Sequence, residues 1–227
     1  SFSTDNKGGN PAGVVIAPQH PSDQEMRQIA ADLGYSETAF ASPHDDAWPV
    51  RYFSPESEVP FCGHATVALG AALAAQHGNG VYTLVLNETT ITVEGYSENG
   101  QMRAALQSPA THSTPAAPEL AAAACALLGL GADDLDPRFT PTFAGAGATH
   151  LILALNSRDR LAAMSYDLAA GRDLMREHGL VTIMLVWVEN DQLFHVRNAF
   201  ASGGVLEDPA TGAAAAAFSG YLRDISW

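Results

Sequence analysis

Four short stretches of the chain hold side chains able to move protons or bind an acid. Ser36-Glu37-Thr38-Ala39 offers a carboxylate, and Pro60-Phe61-Cys62-Gly63-His64-Ala65-Thr66 offers a thiol and an imidazole. Glu207-Asp208-Pro209-Ala210-Thr211-Gly212 adds two carboxylates, and Gly9-Asn10-Pro11-Ala12-Gly13 is a turn carrying an amide. A partly dehydrated glutamate has its pKa raised toward neutrality, so Glu37 can take up a proton and return it. Taken alone, it reads as a strand glutamate facing water, because most glutamates lie at the surface. His64 is either a hydrogen-bond donor and proton shuttle or a histidine packed near a helix start. Asp208 is either a carboxylate stabilised by a helix dipole, worth ~0.3–1 kcal/mol, or a residue that orients a substrate. Pro209 stands where a helix tolerates a missing N–H, so part of that motif is architectural.

Other chemistries find less support. His44, His64, His77, His112, His150, His178 and His195 include no pair at i, i+4 beside a glutamate, and there is no cysteine pair, so no metal site is expected. A Ser-His-Asp hydrolase lacks its Gly-x-Ser-x-Gly elbow. Cys62 and Cys125 are too few for a disulfide framework, which favours a reducing compartment. The formal charge of −14, with 11 basic residues scattered singly, leaves no patch for a phosphate backbone, so nucleic acid is excluded as a partner. The longest apolar stretches, such as Val181 to Val188, are too short for a bilayer span, and no basic segment followed by an apolar one opens the chain. A globular, cytoplasmic protein without membrane attachment is the expectation, and a hydrophobic content of 47% supplies its core.

The elements that must carry these residues follow from periodicity. The turn at Gly8 to Gly13 leads into a strand, Val14 to Ala17. Ser22 and Glu25 have capping-box spacing, Met26, Ile29, Ala30 and Leu33 form one apolar stripe, and Gly34 is placed to end that helix. Tyr35 to Ala41 reads as a strand carrying Glu37, and Arg51 to Phe53 as another. A helix over residues 65–77 is apolar on nearly every side and must therefore be surrounded by structure. Val81 to Leu86, Thr90 to Glu94 and Met102 to Leu106 read as an antiparallel meander, with a hairpin signal at Asn99-Gly100. The proline- and threonine-rich segment Ser108 to Pro118 is expected to cross between two lobes, residues 1–112 and 113–227. The second half repeats the first: an apolar strand His150 to Leu155, a helical region Arg158 to Glu177, strands Thr182 to Glu189 and Leu193 to Phe200, and a small-residue helix over 211–223. Arg51 precedes Thr66 much as Arg197 precedes Thr211, which makes a duplication the economical interpretation. The second lobe has no counterpart of the closing meander, and the chain opens at Ser1-Phe2-Ser3 within what reads as a first strand. Either the sequence is a fragment or a partner covers the open edges, and a homodimer is expected.

In order and approximate spacing, the four motifs resemble those of the phenazine-biosynthesis PhzF-like proteins, and together they run over nearly the whole chain. The resemblance implies a diaminopimelate epimerase-like α+β fold: two pseudo-symmetric lobes, each a mostly antiparallel β-barrel around a central helix, with the active site between them. It implies a cofactor-independent isomerase acting on a small carboxylated, cyclic substrate. Glu37 would be the general acid/base, with His64 and Asp208 also in catalytic positions. Asn10, Gly63, Ala65, Thr66, Thr211, Gly212 and Ala213 would line the substrate, the backbone N–H groups at the two helix starts receiving its carboxylate. Two alternatives stand beside the match, the first motivated by a departure from it. Family members commonly carry serine where this chain has Ala213, so a non-catalytic binding protein is one alternative. Related epimerases use two opposed cysteines, so an epimerase or racemase using Cys62 is another. Cys125, in an Ala-rich apolar run, reads as a buried structural thiol rather than a second catalytic one.

Overall fold

The computed structural model describes residues 1–2, 8–87 and 89–227. It divides into two compact units, Ser1–Gln107 and Ser108–Trp227. The first contains β1 (Gly13–Ile16), α1 (Asp23–Leu33), β2 (Thr38–Ala41), β3 (Ala47–Phe53), β4 (Glu58–Val59), α2 (Gly63–His77), β5 (Gly80–Val85), β6 (Thr90–Glu98) and β7 (Gln101–Leu106). The second contains β8 (His112–Pro115), α3 (Pro118–Leu127), β9 (Thr142–Gly145), β10 (Thr149–Leu155), α4 (Arg158–Ala162), α5 (Leu168–Glu177), β11 (Thr182–Asn190), β12 (Leu193–Ala199), β13 (Glu207–Asp208) and α6 (Gly212–Asp224). The segment expected to cross between lobes thus contains β8, and the division falls ahead of it.

In the first unit the strands run in the order β1-β2-β3-β5-β6-β7, with β4 on β3. Successive side chains along a strand point to opposite faces. Phe40 and Phe53 accordingly face α1, where they meet edge-on at 5.7 Å and pack with Met26 and Ala30. Ala39, Ala41, Val50 and Tyr52 face the other way, onto α2 through Ala65, Leu69 and Leu73. Helix α2 touches β6 and β7 at one end of the sheet and β1 and β2 at the other, so the sheet curls around it. That enclosure is why the helix is apolar all round. It is also why small residues recur there: a Cβ on Gly70 would lie 2.5 Å from Val93 Cγ2, and one on Gly95 of β6 would lie 2.2 Å from the Gly70 carbonyl oxygen.

In the second unit the order is β13-β12-β11-β10-β9-β8. Leu151, Leu153, Leu155, Ile183 and Leu185 point toward α3, α4 and α5, while Ile152, Ala154, Met184, Val186 and Val188 point toward α6. Both faces are covered, so the two central strands read as continuous apolar runs.

Both sheets are mixed. Pairs β1–β2, β3–β5 and β10–β11 are parallel, the remainder antiparallel. Most pairs are antiparallel, as expected, and the parallel ones arise where α1, α2 and the α4–α5 pair act as crossover helices, because a crossover returns the chain parallel to its start. The expected helical region Arg158 to Glu177 holds two helices: α4 ends at Ala162, and Asp167 starts α5 by accepting the Ala170 N–H at 2.8 Å. Of the expected opening strand, Ser3 lies outside the described residues, and Ser1 exchanges backbone hydrogen bonds with Asn10 without forming a strand. The order of parallel pair, crossover helix, antiparallel strand, two-residue strand and small-residue helix occurs once in each unit.

Candidate active site

Helix α1 begins at a complete Ser22/Glu25 capping box and ends at Gly34, whose φ of 66° is left-handed and turns the chain sharply. Glu37 therefore emerges from a turn, one residue before β2 begins at Thr38, and not from within a strand as expected. Its carbonyl accepts the Gly13 N–H at 3.0 Å, which ties the turn to the start of β1.

Helix α2 begins two residues earlier than expected, placing His64 inside its first turn and Cys62 at the N-cap. His64 Nε2 lies 3.5 Å from Glu37 Oε2 and 3.4 Å from Ser36 Oγ. On the other side of the ring, Nδ1 lies 3.2 Å from Cys62 Sγ. The side chains of His64 and Glu37 are 7% and 15% exposed, so this group is largely withdrawn from water yet open at Glu37. In a neutral imidazole one nitrogen donates and the other accepts. A thiol donating to Nδ1 therefore goes with an Nε2–H directed at the Glu37 carboxylate, and the proton positions along Cys62, His64 and Glu37 are coupled. The Ser1 hydroxyl donates to the His64 carbonyl at 2.6 Å.

Other expected site residues fare differently. Thr66 is fully buried; its hydroxyl donates to the Cys62 carbonyl at 2.7 Å and meets the Tyr52 hydroxyl at 2.6 Å, while its N–H bonds the same carbonyl at 3.0 Å. Thr66 thus holds the helix start together and has no group left for a ligand. The Ala65 side chain is likewise in the core. Burial pushes the Tyr52 phenol well above its usual pKa, consistent with a structural hydroxyl. Asn10 is 4% exposed. Cys125 lies in the core of the second unit, where burial raises its thiol pKa.

In the second unit, β13 carries Asp208 opposite Asn198 of β12, and Thr211, the N-cap of α6, donates its hydroxyl to Asp208 Oδ2 at 2.5 Å. Ala213 follows Gly212 in the first turn. The two small-residue helices share a feature. Neither N-cap side chain satisfies a first-turn N–H: Cys62 faces an imidazole and Thr211 faces Asp208. First-turn N–H groups have no partner within the helix and carry the positive end of its dipole. In α1, α4 and α5 a serine or aspartate side chain caps that turn, while α3, which starts at Pro118 after Ala117, has no side-chain cap either.

Sequence reasoning missed two features. The motif offers Cys62 only as half of a thiol pair, whereas it is a partner of His64. Arg51, which in the sequence marks only a repeat spacing, holds Glu58 through Nε and NH2 at 2.9 and 2.6 Å and Asp23 through NH1 at 2.6 Å. Arg197 holds Glu207 in the same bidentate way, at 2.9 and 2.5 Å. Paired Arg/Glu spacing before each small-residue helix was the available signal.

Two mixed sheets, one of them curled around a helix that presents a histidine to a glutamate, define a fold shared with PhzF proteins and proline racemases. A Bacillus anthracis phenazine biosynthesis protein of the PhzF family superposes with a TM-score of 0.81 at 25% identity, over 96% of this chain and 76% of that one. A structure described as a probable proline racemase from Agrobacterium radiobacter K84, at 11% identity, shares the fold with a TM-score of 0.57 over 90% of this chain and 67% of that one. The chain belongs to the phenazine biosynthesis-like (PhzC-PhzF) family, whose model matches residues 1–226. Its relatives are named as isomerases: Uncharacterized isomerase YddE of Escherichia coli (strain K12) is 30% identical over 98% of this chain and 76% of its own length. An Uncharacterized isomerase of Deinococcus radiodurans is 32% identical over 98% of this chain and 74% of its own length. Among the described residues, no helix is long and apolar enough to cross a membrane.

Proposed function

We propose that this chain is an isomerase that moves a proton between two positions of a small carboxylated, cyclic substrate, with Glu37 as the acid/base. The observation that carries the reading is the 3.5 Å approach of Glu37 to His64 Nε2 in a nook open chiefly at the carboxylate. A group that must take and return a proton needs restricted hydration and a neighbour able to adjust the charge. His64 supplies that neighbour, and its tautomer answers to Cys62. Asp208, fixed by Thr211, is proposed to orient the substrate. The uncapped first turns of α2 and α6 suit a carboxylate, and these roles rest on the motifs together with the capping pattern.

Incubating the protein with cyclic amino or hydroxy acids in deuterated water tests the proposal. Solvent deuterium should enter the substrate, and Glu37→Gln should slow incorporation by roughly 10²–10⁴-fold. Tight binding with no incorporation by the wild type would instead support a binding protein, the reading that Ala213 motivates. Incorporation that survives Glu37→Gln and disappears in Cys62→Ser would favour an epimerase that uses the thiol.

A further inference from the structure

Glu37, Cys62 and His64 each present a donor atom, and all three donors lie within 4.8 Å of one another. No other such trio of histidine, cysteine and acidic side chains occurs among the described residues. Sequence spacing conceals it, because the carboxylate arrives from the turn after α1 while the thiol and imidazole share one helix start.

We propose that this trio is a binding site for a zinc-class divalent cation, held by Cys62 Sγ, one ring nitrogen of His64 and a Glu37 oxygen, with a fourth position open to water or a substrate carboxylate. Tetrahedral zinc with bonds of about 2.0–2.3 Å sets its donors roughly 3.5 Å apart, so small side-chain rotations would close the site. Whichever ring nitrogen is used, one separation is already near that spacing, 3.2 Å from Cys62 Sγ to Nδ1 or 3.5 Å from Glu37 Oε2 to Nε2, and the remaining donors lie within 4.8 Å. Softness also fits: a thiolate and an imidazole favour zinc over magnesium or calcium. On binding, the thiol proton leaves to solvent, and the resulting thiolate and the carboxylate neutralise the ion, so no net charge is buried. An occupied site removes the lone pairs that proton transfer would use, which makes the metal an inhibitor rather than a cofactor. The blocking role rests on the proposed acid/base reading, whereas the site itself does not.

The test is titration of the reduced protein with Co²⁺, read by the thiolate-to-cobalt charge-transfer band, followed by displacement with Zn²⁺. One equivalent should bind, Cys125→Ala should retain the band, and Cys62→Ser should abolish it. Glu37→Gln should weaken binding by more than about 100-fold, beyond the ~10–100-fold that loss of an outer-shell partner costs. Absence of the band in wild type, its survival in Cys62→Ser, or an unchanged affinity in Glu37→Gln would each overturn the site. Circular dichroism of each variant before titration separates a lost ligand from a lost fold. Deuterium exchange by the Zn²⁺-loaded protein is the separate check on blocking, and exchange that continues at the unloaded rate overturns that role.

Discussion

At the scale of single residues, the site is built on a division of labour within one helix start. Cys62 contributes its thiol to the His64 ring and its carbonyl to Thr66, while Thr66 passes the connection on to Tyr52. The Tyr52–Thr66 contact is buried and far from water, so its worth lies mainly in what happens when only one partner remains. Thr66→Val leaves the Tyr52 hydroxyl buried without its partner and should cost ~1–3 kcal/mol, measured by urea denaturation. Adding Tyr52→Phe removes the orphaned hydroxyl, so the double variant should recover much of that loss. If the double variant is as unstable as the sum of the two single ones, the hydroxyls do not act as a pair. Deuterium incorporation should persist in the folded double variant, because neither hydroxyl touches Glu37 or His64 in the arrangement described.

At the scale of elements, the enclosure of α2 depends on close approach between that helix and the sheet around it. Gly95 lets β6 lie against the helix backbone: a Cβ there would stand 2.2 Å from the Gly70 carbonyl oxygen and 2.9 Å from Ala74 Cβ. Gly95→Ala must therefore push backbone apart and should destabilise by about 1–3 kcal/mol or more. Gly80→Ala, where a Cβ meets nothing within 4 Å, should stay within ~0.5 kcal/mol. Equal stabilities of the two variants by thermal denaturation would refute the packing argument. Much of this level was legible beforehand. The capping box and Gly34 bounded α1, and the all-round apolar character of residues 65–77 announced an enclosed helix, because capping and burial leave local traces. Parallel pairing left none, since the same apolar runs serve a strand in either direction. Likewise, Glu37 and His64 were each nominated from their motifs, but the approach of Cys62 to the far side of the imidazole depends on the first turn of α2 starting at Gly63. Helix ends are the least definite feature of a periodic pattern.

At the scale of the molecule, each unit uses the same device ahead of its small-residue helix. Arg51 and Arg197 clamp Glu58 and Glu207 across the last strand pair, and each also reaches the crossover region, Asp23 in one unit and the Leu161 and Ala162 carbonyls in the other. Such pairings make the fold dependent on ionised carboxylates. Acid should therefore unfold the protein in two stages. His150 is wholly buried; its Nδ1 shares a 2.8 Å hydrogen bond with Thr182, and its Nε2 has no partner among the described residues. Burial lowers its pKa from 6.5 to about 4. The unfolded chain thus binds this proton more readily, so the contribution of neutral His150 is intact above pH 6.5 and is lost as pH falls from 6.5 toward 4, by at most ~1.4 kcal/mol per unit. Hydrogen bonds from Arg51 and Arg138 hold Glu58 and Asp136 below their usual pKa values, so their contribution is present at neutral pH and disappears only below about pH 4. Urea midpoints followed from pH 7.5 to 3 should show both declines. His150→Leu should lower the neutral-pH plateau, because Thr182 loses its partner, while flattening the slope between pH 6.5 and 4 and leaving the later decline in place. A variant that keeps the full upper slope would show that another group, and not this buried imidazole, sets the first stage.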